Sequence, residues 1–207
     1  NGHEDRIYLR GFHPTATSGV FGATCGVGKL ARLTADQIEL TLGICLSQAA
    51  GSMQYIDNGA WTKRLQPGLA AQAAIVSVAL SEFGFVGATR ALEGRFGYFN
   101  NYCEQYDAEK VLPGLGQGFE IMRTAIKPYP CCRSNHGVLD AVIAITSAID
   151  LKPKDIEQID VHLSPTSCQI VAQPEEHKRR PRNVVDAQFS VFFTGALAAL
   201  DRAFSWS

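Results

Sequence analysis

The spacing of apolar residues limits the possible folds of this chain most strongly, because the spacing changes character about halfway along. In the first half, apolar residues recur at the period of an α-helix, about 3.6 residues. Two such series are Ile38, Leu42, Cys45 and Ala49, and then Leu69, Ala73, Val76, Leu80 and Phe83. The other faces of the second series are also largely apolar, which predicts a helix buried on most sides. Residues 1–105 are therefore predicted to form part of an all-helical domain.

Local signals mark where some of these elements begin and end. Thr34 is a good N-cap residue, and Gln37 three positions later completes the capping-box pattern. The helix that follows is predicted to end at Gly51. Residues 52–67 are polar, contain an Asn-Gly pair and end at Pro67, so they are predicted to form a loop.

The second half mixes helical and strand patterns. Residues 119–126 are compatible with a strand, and residues 159–163 alternate apolar and polar side chains with a period of two. A helix is predicted over 136–149, with Leu139, Val142, Ile143 and Thr146 on one face. Residues 106–185 are therefore predicted to belong to a smaller α+β domain. Residues 186–207 are predicted to form a helix of uncertain domain, with Phe189, Phe193, Ala196 and Leu200 on one face.

Charge and hydropathy exclude several classes of partner. The net charge is −1, which gives no electrostatic reason to expect nucleic acid or an anionic membrane as a partner. The basic cluster at 177–182 is short and proline-containing, so it is predicted to be a solvated loop. No apolar run of the roughly 18 residues that a membrane span needs occurs, and no signal peptide is visible.

The cysteines are not spaced as metal ligands. Six cysteines occur, at positions 25, 45, 103, 131, 132 and 168, without the spacing of zinc or iron–sulfur sites. Their use fits a reducing compartment, the cytoplasm or, in a eukaryote, the mitochondrion. The adjacent pair Cys131 and Cys132 leaves a strained redox pair as an alternative role.

Three short stretches carry the residues suited to chemistry. GFHPTATSG, NGAWTKRLQPG and IKPYPCCRSNHG each place a histidine or lysine in a loop beside an apolar helix. Together, His13, Lys63, Lys127 and His136 would form an anion pocket with groups that transfer protons next to a carboxylate. Spacing alone does not show that they converge. Each histidine could be structural, and Lys63 with Arg64 could be a surface pair.

Longer motifs connect these stretches. GFHPTATSGVFGA, SQAAGSMQYIDNGAWTKRLQPGLAA, LEGRFGYF, IKPYPCCRSNHGVLDA and DAQFSVFFTGALAAL occur in this order. The chain therefore resembles the MmgE/PrpD family over nearly its whole length. The resemblance implies a homodimer with a large all-helical domain and a smaller α+β lid domain. It also implies a small di- or tricarboxylate substrate and no metal or organic cofactor.

The resemblance assigns roles to individual residues. His13 matches the loop histidine of the family and is expected to be the acid or base. Lys63 and Lys127 match its two lysines and are expected to hold carboxylates, while His136 assists or orients its loop. We assign substrate binding to Thr15, Arg64 and Cys132.

Three positions depart from the family pattern. Some decarboxylase members carry histidine at the position of Cys132, and a thiol does not replace imidazole as an acid near neutral pH. Many members have histidine at the position of Gln66 and tyrosine at that of Phe193. Within the family, the thiol at Cys132 favours dehydration of a 2-hydroxy tricarboxylate such as 2-methylcitrate over decarboxylation, with epimerisation as a further possibility.

Length separates this chain from the family most clearly. Family members are much longer and carry an Asp- and His-bearing active-site motif upstream of GFHPT. The chain is therefore expected to be a central fragment of the fold, truncated at both ends. The alternative from another class is a catalytically silent binding or oligomerisation module, which the changes at Gln66 and Phe193 also favour.

Overall fold

The computed structural model describes residues 7–103, 105–107, 110 and 114–205. The described residues form two compact units. The first unit draws on Asn1–Met53 and Thr62–Gly118, and the second on Gln54–Trp61 and Phe119–Ser207. The predicted domain boundaries, at 105 and 185, stay predictions. Among the described helices, none combines the length and hydropathy needed to cross a membrane.

The first unit is built from helices, as the apolar periods predict. Its helices are α1 Pro14–Thr17, α2 Gly19–Leu30, α3 Ala35–Leu46, α4 Thr62–Glu82 and α5 Tyr98–Tyr102. Helices α2, α3 and α4 all pack against one another. The buried core around them also takes in residues from the connections and from α5, and it consists of Val20, Phe21, Cys45, Ala49, Ala70, Ala73, Ala91 and Tyr98.

The predicted start of α3 is confirmed. The Thr34 side chain accepts a hydrogen bond from the Gln37 N–H at 3.3 Å, and the Gln37 side chain accepts one from the Thr34 N–H at 2.8 Å. Both bonds satisfy backbone donors that a helix start leaves without an intrahelical partner. The helix ends at Leu46, before the predicted end at Gly51.

The predicted loop over 52–67 is wrong at its C-terminal end. Helix α4 begins at Thr62 and contains both Lys63 and Pro67. Pro67 cannot donate the hydrogen bond that another residue there would give to the Lys63 carbonyl, but the helix continues through it. Lys63 therefore lies on the first turn of a helix rather than in a loop.

The predicted buried face of α4 is also wrong. Of the predicted series only Ala73 is buried, whereas Val76 is 42% exposed and Phe83 is 90% exposed. The buried face consists largely of small side chains: Ala70, Ala73, Ala74, Ser77 and Ser81. Helices α2 and α3 both pack on α4, and small side chains let helix backbones approach closely. Hydropathy alone does not distinguish such a face from a stripe of larger apolar residues.

A close backbone approach makes Gly43 a sensitive position. A Cβ atom at Gly43 would lie 1.9 Å from the Ala88 carbonyl oxygen, and one at Gly87 would lie 2.0 Å from the Leu40 carbonyl oxygen. We expect Gly43→Ala to lower the free energy of unfolding by roughly 1–3 kcal/mol, because the backbone must move apart to admit the methyl group.

The matched control for this prediction is Gly26→Ala in α2, where an added Cβ meets nothing within 4 Å. Alanine favours a helix interior over glycine, so this variant is expected to gain about 0.5–1 kcal/mol. Urea denaturation of both variants measures the difference. Equal stabilities would contradict the close crossing at Gly43.

The second unit is also helical in the part that the structure describes. Its helices are α6 Arg133–Ala148, α7 Pro165–Val171, α8 Glu175–Arg179, α9 Val184–Gln188 and α10 Val191–Asp201. Short 3-10 turns cover Gln54–Ile56, Glu120–Arg123 and Pro153–Asp155. Helix α6, which confirms the helix predicted over 136–149, packs against α10 and α7. The buried core is formed by Cys131, Leu139, Val142, Ala198, Ala199 and Phe204.

The predicted strands do not form among the described residues, so the α+β part of the predicted fold is not confirmed. Residues 119–126 contain the 3-10 turn Glu120–Arg123 and are exposed. Residues 156–163 carry no helix and no ladder, and Ile159 and Val161 are 39% and 37% exposed. A strand needs a neighbour to pair its backbone groups. The isolated bridge recorded in the described chain joins Phe12 and Ser52 instead.

The predicted face of the last helix is wrong, and the predicted solvated basic cluster is wrong at Lys178, while Arg179, Arg180 and Arg182 are exposed as expected. Leu200 on α10 is 59% exposed, while Thr194 and Ala198 are fully buried. In the basic cluster, Lys178 on α8 is also fully buried. Its Nζ donates to the Ile56 carbonyl at 3.2 Å and lies 3.7 Å from Asp186 Oδ1. Lys178 can be buried because the carboxylate of Asp186, eight residues later, compensates its charge.

Candidate active site

His13 is held by a short backbone connection in the first unit. It is the N-cap residue of α1, and its N–H donates to the Gly51 carbonyl at 3.1 Å. The two residues before it are held in the same way. Phe12 forms an isolated β-bridge with Ser52, and the Met53 N–H donates to the Gly11 carbonyl at 2.8 Å. These contacts fix the histidine backbone against the segment that precedes α4.

The His13 side chain is fixed by a glutamine. His13 Nδ1 contacts Gln66 Oε1, and Gln66 Nε2 donates to the Ser52 carbonyl at 2.7 Å. The histidine is 3% exposed and the glutamine 7% exposed. The predicted site therefore contains a buried polar pair, of which sequence reasoning identified only one member as functional.

Lys63 lies three positions before Gln66 on α4, the spacing that places two side chains on one helix face. Burial lowers the pKa of His13, the hydrogen bond to Gln66 acts in the opposite direction, and the positive charge of Lys63 lowers the pKa further. His13 is therefore a neutral imidazole at pH 7. Thr15 and Arg64, the predicted binding residues of this unit, are both exposed.

Lys127 and Cys132 lie close together in the second unit. Lys127 Nζ donates to the Cys131 carbonyl at 3.2 Å, and Cys132 is the N-cap residue of α6. The Cys132 N–H donates to the Gln188 carbonyl at 2.9 Å, which fixes this turn to the end of α9. The stretch between Lys127 and α6 therefore holds the Lys127 ammonium group against the backbone of the cysteine pair.

The alternative redox role of the cysteine pair gains no support. Both cysteines are free thiols. Burial, followed by the charge of Cys132, raises the pKa of the Cys131 thiol to about 11. Because the thiolate is the reactive form, Cys131 is a poor nucleophile at neutral pH.

His136 is fully buried on α6. Neither ring nitrogen makes a hydrogen bond to the described part of the chain, although the nearby Cys131 backbone favours the protonated ring. Burial is the larger influence and lowers the His136 pKa. Tyr129 packs edge-on against the ring with centroids 5.3 Å apart, and its hydroxyl donates to Asp140 at 2.6 Å. His136 is thus a neutral ring within the helix packing.

The structure groups the predicted site residues in two sets. His13 and Lys63 lie together in the first unit, and Lys127, Cys132 and His136 lie together in the second. Sequence reasoning missed the contact of Gln66 with His13 and the burial of Lys178. The spacing of Gln66 to Lys63 places both on one helix face but does not identify His13 as the partner of Gln66, and Lys178 carries no comparable local signal.

A cavity of about 1030 Å³ lies elsewhere in the second unit. Residues 156–163 line one side, and residues of α7, α8, α10 and the turn after α7 line the rest. None of the predicted site residues contributes to its wall. In the described ranges, no three side chains among His, Cys, Asp and Glu come together as metal ligands.

Comparison with known proteins matches both halves of the chain. Residues 2–111 match the MmgE/PrpD N-terminal domain, and residues 129–206 match the MmgE/PrpD C-terminal domain. A cis-aconitate decarboxylase of Aspergillus terreus is 31% identical over 93% of this chain and 41% of its own length. A cis-aconitate decarboxylase-like protein of Aspergillus oryzae is 28% identical over 92% of the chain and 41% of its own length. The chain therefore spans about two fifths of the length of these relatives.

Proposed function

Because the chain belongs to the MmgE/PrpD family, we propose that it carries part of the active site of a lyase acting on a small di- or tricarboxylate. The contact of His13 with Gln66, near the charge of Lys63, carries this proposal. It combines a neutral imidazole with a nearby cation. Proton transfer next to a carboxylate needs these two groups, one to move the proton and one to stabilise negative charge.

Each predicted residue has a role in this proposal. Neutral His13 transfers the proton at the carbon next to a carboxylate. The ammonium groups of Lys63 and Lys127 bind carboxylates, and His136 orients the Lys127 stretch through its packing against Tyr129. The further substrate-binding residues of the proposal are Thr15, Arg64 and Cys132.

Two reactions compete within the proposal. Dehydration removes a proton from carbon and expels hydroxide, which leaves as water. Decarboxylation breaks the carbon–carbon bond to a carboxylate, releases CO₂ and delivers a proton to carbon. The names of the Aspergillus relatives favour decarboxylation of cis-aconitate. Cys132, where a histidine would supply an acid, favours dehydration of a 2-hydroxy tricarboxylate such as 2-methylcitrate. We propose dehydration first and decarboxylation second.

Product analysis tests the proposal and separates the reactions. The purified protein is incubated with 2-methylcitrate and with cis-aconitate. Dehydration gives an unsaturated product that absorbs in the near ultraviolet, and decarboxylation releases CO₂. An epimerase would instead return substrate labelled from deuterated water.

A binding measurement accompanies the assay. A ligand of the folded state at about 100 times its Kd stabilises it by about 2.7 kcal/mol. Thermal unfolding is expected to shift upward with tricarboxylates, and less in Lys63→Ala. Absence of both turnover and stabilisation would overturn the lyase and favour a catalytically silent module. Homodimer assembly and the absence of a cofactor, both implied by the family, stay proposals.

A further inference from the structure

We propose that Gln66 is a positioning residue that fixes the tautomer of His13, with the proton on Nδ1 and the lone pair on Nε2. The inference rests on the proposed function, in which His13 transfers the proton. Gln66 acts through His13 and makes no contact with substrate in this proposal.

The orientation of the Gln66 amide follows from its second partner. Its amide nitrogen lies 2.7 Å from the Ser52 carbonyl oxygen, which only accepts hydrogen bonds. A flipped amide would bring two acceptor oxygens together there. The NH₂ group therefore faces Ser52, and the carbonyl oxygen Oε1 faces His13.

The histidine proton follows from the amide orientation. Gln66 Oε1 contacts His13 Nδ1, and an amide oxygen has no proton to donate. The hydrogen bond therefore exists only if Nδ1 carries the proton. In the neutral ring the other nitrogen, Nε2, then holds the lone pair that accepts a proton.

The acceptor that orients the amide is itself fixed to the histidine backbone. Ser52 forms the isolated bridge with Phe12, the residue before His13. The neighbouring Gly51 carbonyl accepts from the His13 N–H at 3.1 Å. The His13 and Gln66 side chains are almost fully buried, so water competes little for the hydrogen bond between them. The ring, the amide and the Ser52 carbonyl thus form one connected unit.

A neutral partner suits a base better than a charged one at this position. A carboxylate in place of the amide would favour protonated His13 and remove the lone pair near neutral pH. An apolar side chain would leave Nδ1 without its buried acceptor and let both tautomers occur. The Gln66 amide oxygen accepts a hydrogen bond from Nδ1–H without adding a charge next to the ring.

The test uses three variants on one helix. Gln66→Met removes the acceptor, Gln66→Glu keeps an acceptor but adds charge, and Gln72→Met changes an exposed glutamine of α4 as the matched control. Two-bond ¹⁵N–¹H correlation of the His13 ring reports which nitrogen carries the proton and needs no substrate. Turnover and its pH profile are measured on the same proteins.

The expected spectrum shows the proton on Nδ1 in the unchanged protein and in Gln72→Met. Gln66→Met is expected to show a mixture and to lose about 10- to 100-fold in kcat with little change in KM. Gln66→Glu is expected to keep the proton on Nδ1 and move the acid limb of the kcat/KM profile to higher pH. The Gln66→Glu variant keeps the inference testable if Gln66→Met folds poorly.

Other spectra would overturn the inference. A proton on Nε2 in the unchanged protein, or an unchanged tautomer in Gln66→Met, contradicts the role of Gln66 whatever the activity. Failure to turn over any carboxylate overturns the lyase instead, while the spectra still decide which residue sets the tautomer. The two failures are therefore distinguishable.

Discussion

Replacing Lys178 by methionine is expected to lower the free energy of unfolding by about 3–5 kcal/mol, because it leaves a buried carboxylate without its cation. The side chains of Lys178 and Asp186 are 0% and 4% exposed. Asp186 Oδ2 accepts from the Arg182 N–H at 3.2 Å, but Oδ1 has no hydrogen bond among the described residues. Lys178 is the cation that pairs with Asp186 Oδ1, at 3.7 Å. Denaturant unfolding at pH 7 measures the loss.

The loss also reflects what Lys178 holds in place. Its Nζ donates to the Ile56 carbonyl, and Asn183 Nδ2 donates to the Asn58 carbonyl at 3.1 Å. Gly59 in the same segment has φ +66°, and a Cβ there would lie 2.5 Å from Asn183 Oδ1. Residues 54–61 are therefore bound by polar contacts from Lys178 on α8 and from Asn183, the N-cap residue of α9, and the methionine variant loses the Lys178 contact.

Two comparisons separate the ion pair from general damage. The double variant Lys178→Met with Asp186→Leu is expected to lose less than the single variant, because it leaves no unpaired charge. Arg179→Met, one residue away, breaks an exposed pair with Glu175 and is expected to cost about 0–1 kcal/mol. Equal costs for Lys178→Met and Arg179→Met would refute the special role of the buried pair.

Replacing His13 by asparagine is expected to reduce kcat by about 10²- to 10⁴-fold with little loss of stability. The asparagine amide can still donate to Gln66 Oε1, so the buried acceptor keeps a partner while the ring proposed to transfer the proton is lost. Steady-state kinetics on the best substrate and thermal unfolding are measured together. His162→Asn, at an exposed histidine, is the matched control and is expected to leave kcat unchanged.

The pH profile gives an independent check on His13. Burial holds its pKa below the usual 6.5, so the neutral base persists as the pH falls to that value. The rate is expected to decline only at lower pH, as His13 becomes protonated. The free energy of unfolding also falls as the pH drops below 6.5, since His13 takes up its proton in the unfolded chain before it does so in the folded one. An acid limb centred above 6.5 would argue against His13 as the base.

Local sequence signals predicted the elements that depend on neighbours along the chain. The capping box of Thr34 and Gln37 involves residues three apart, and the structure has both of its bonds. The α6 pattern of Leu139, Val142 and Thr146 likewise gave the buried face of that helix. Such features are short-range, so a single stretch contains most of what decides them.

Predictions failed where a distant partner decides the outcome. Val76 was expected to be buried because it is apolar, but the small face of α4 allows closer packing and lies inward. Val161 was expected in a strand, but no neighbouring strand pairs with residues 156–163 in the described chain. The period of the apolar residues indicates an amphipathic helix or strand, but it does not identify the element against which that helix or strand packs.

The sequence by itself determined the family, the helical character of the first half and the residue types suited to proton transfer. Only the tertiary structure decided that Gln66 and Ser52 hold the His13 ring and that Asp186 and Ile56 receive a fully buried Lys178. These contacts join residues as far as 122 positions apart. A hydrogen bond or ion pair between such groups depends on where the backbone brings them, and no local pattern encodes that position.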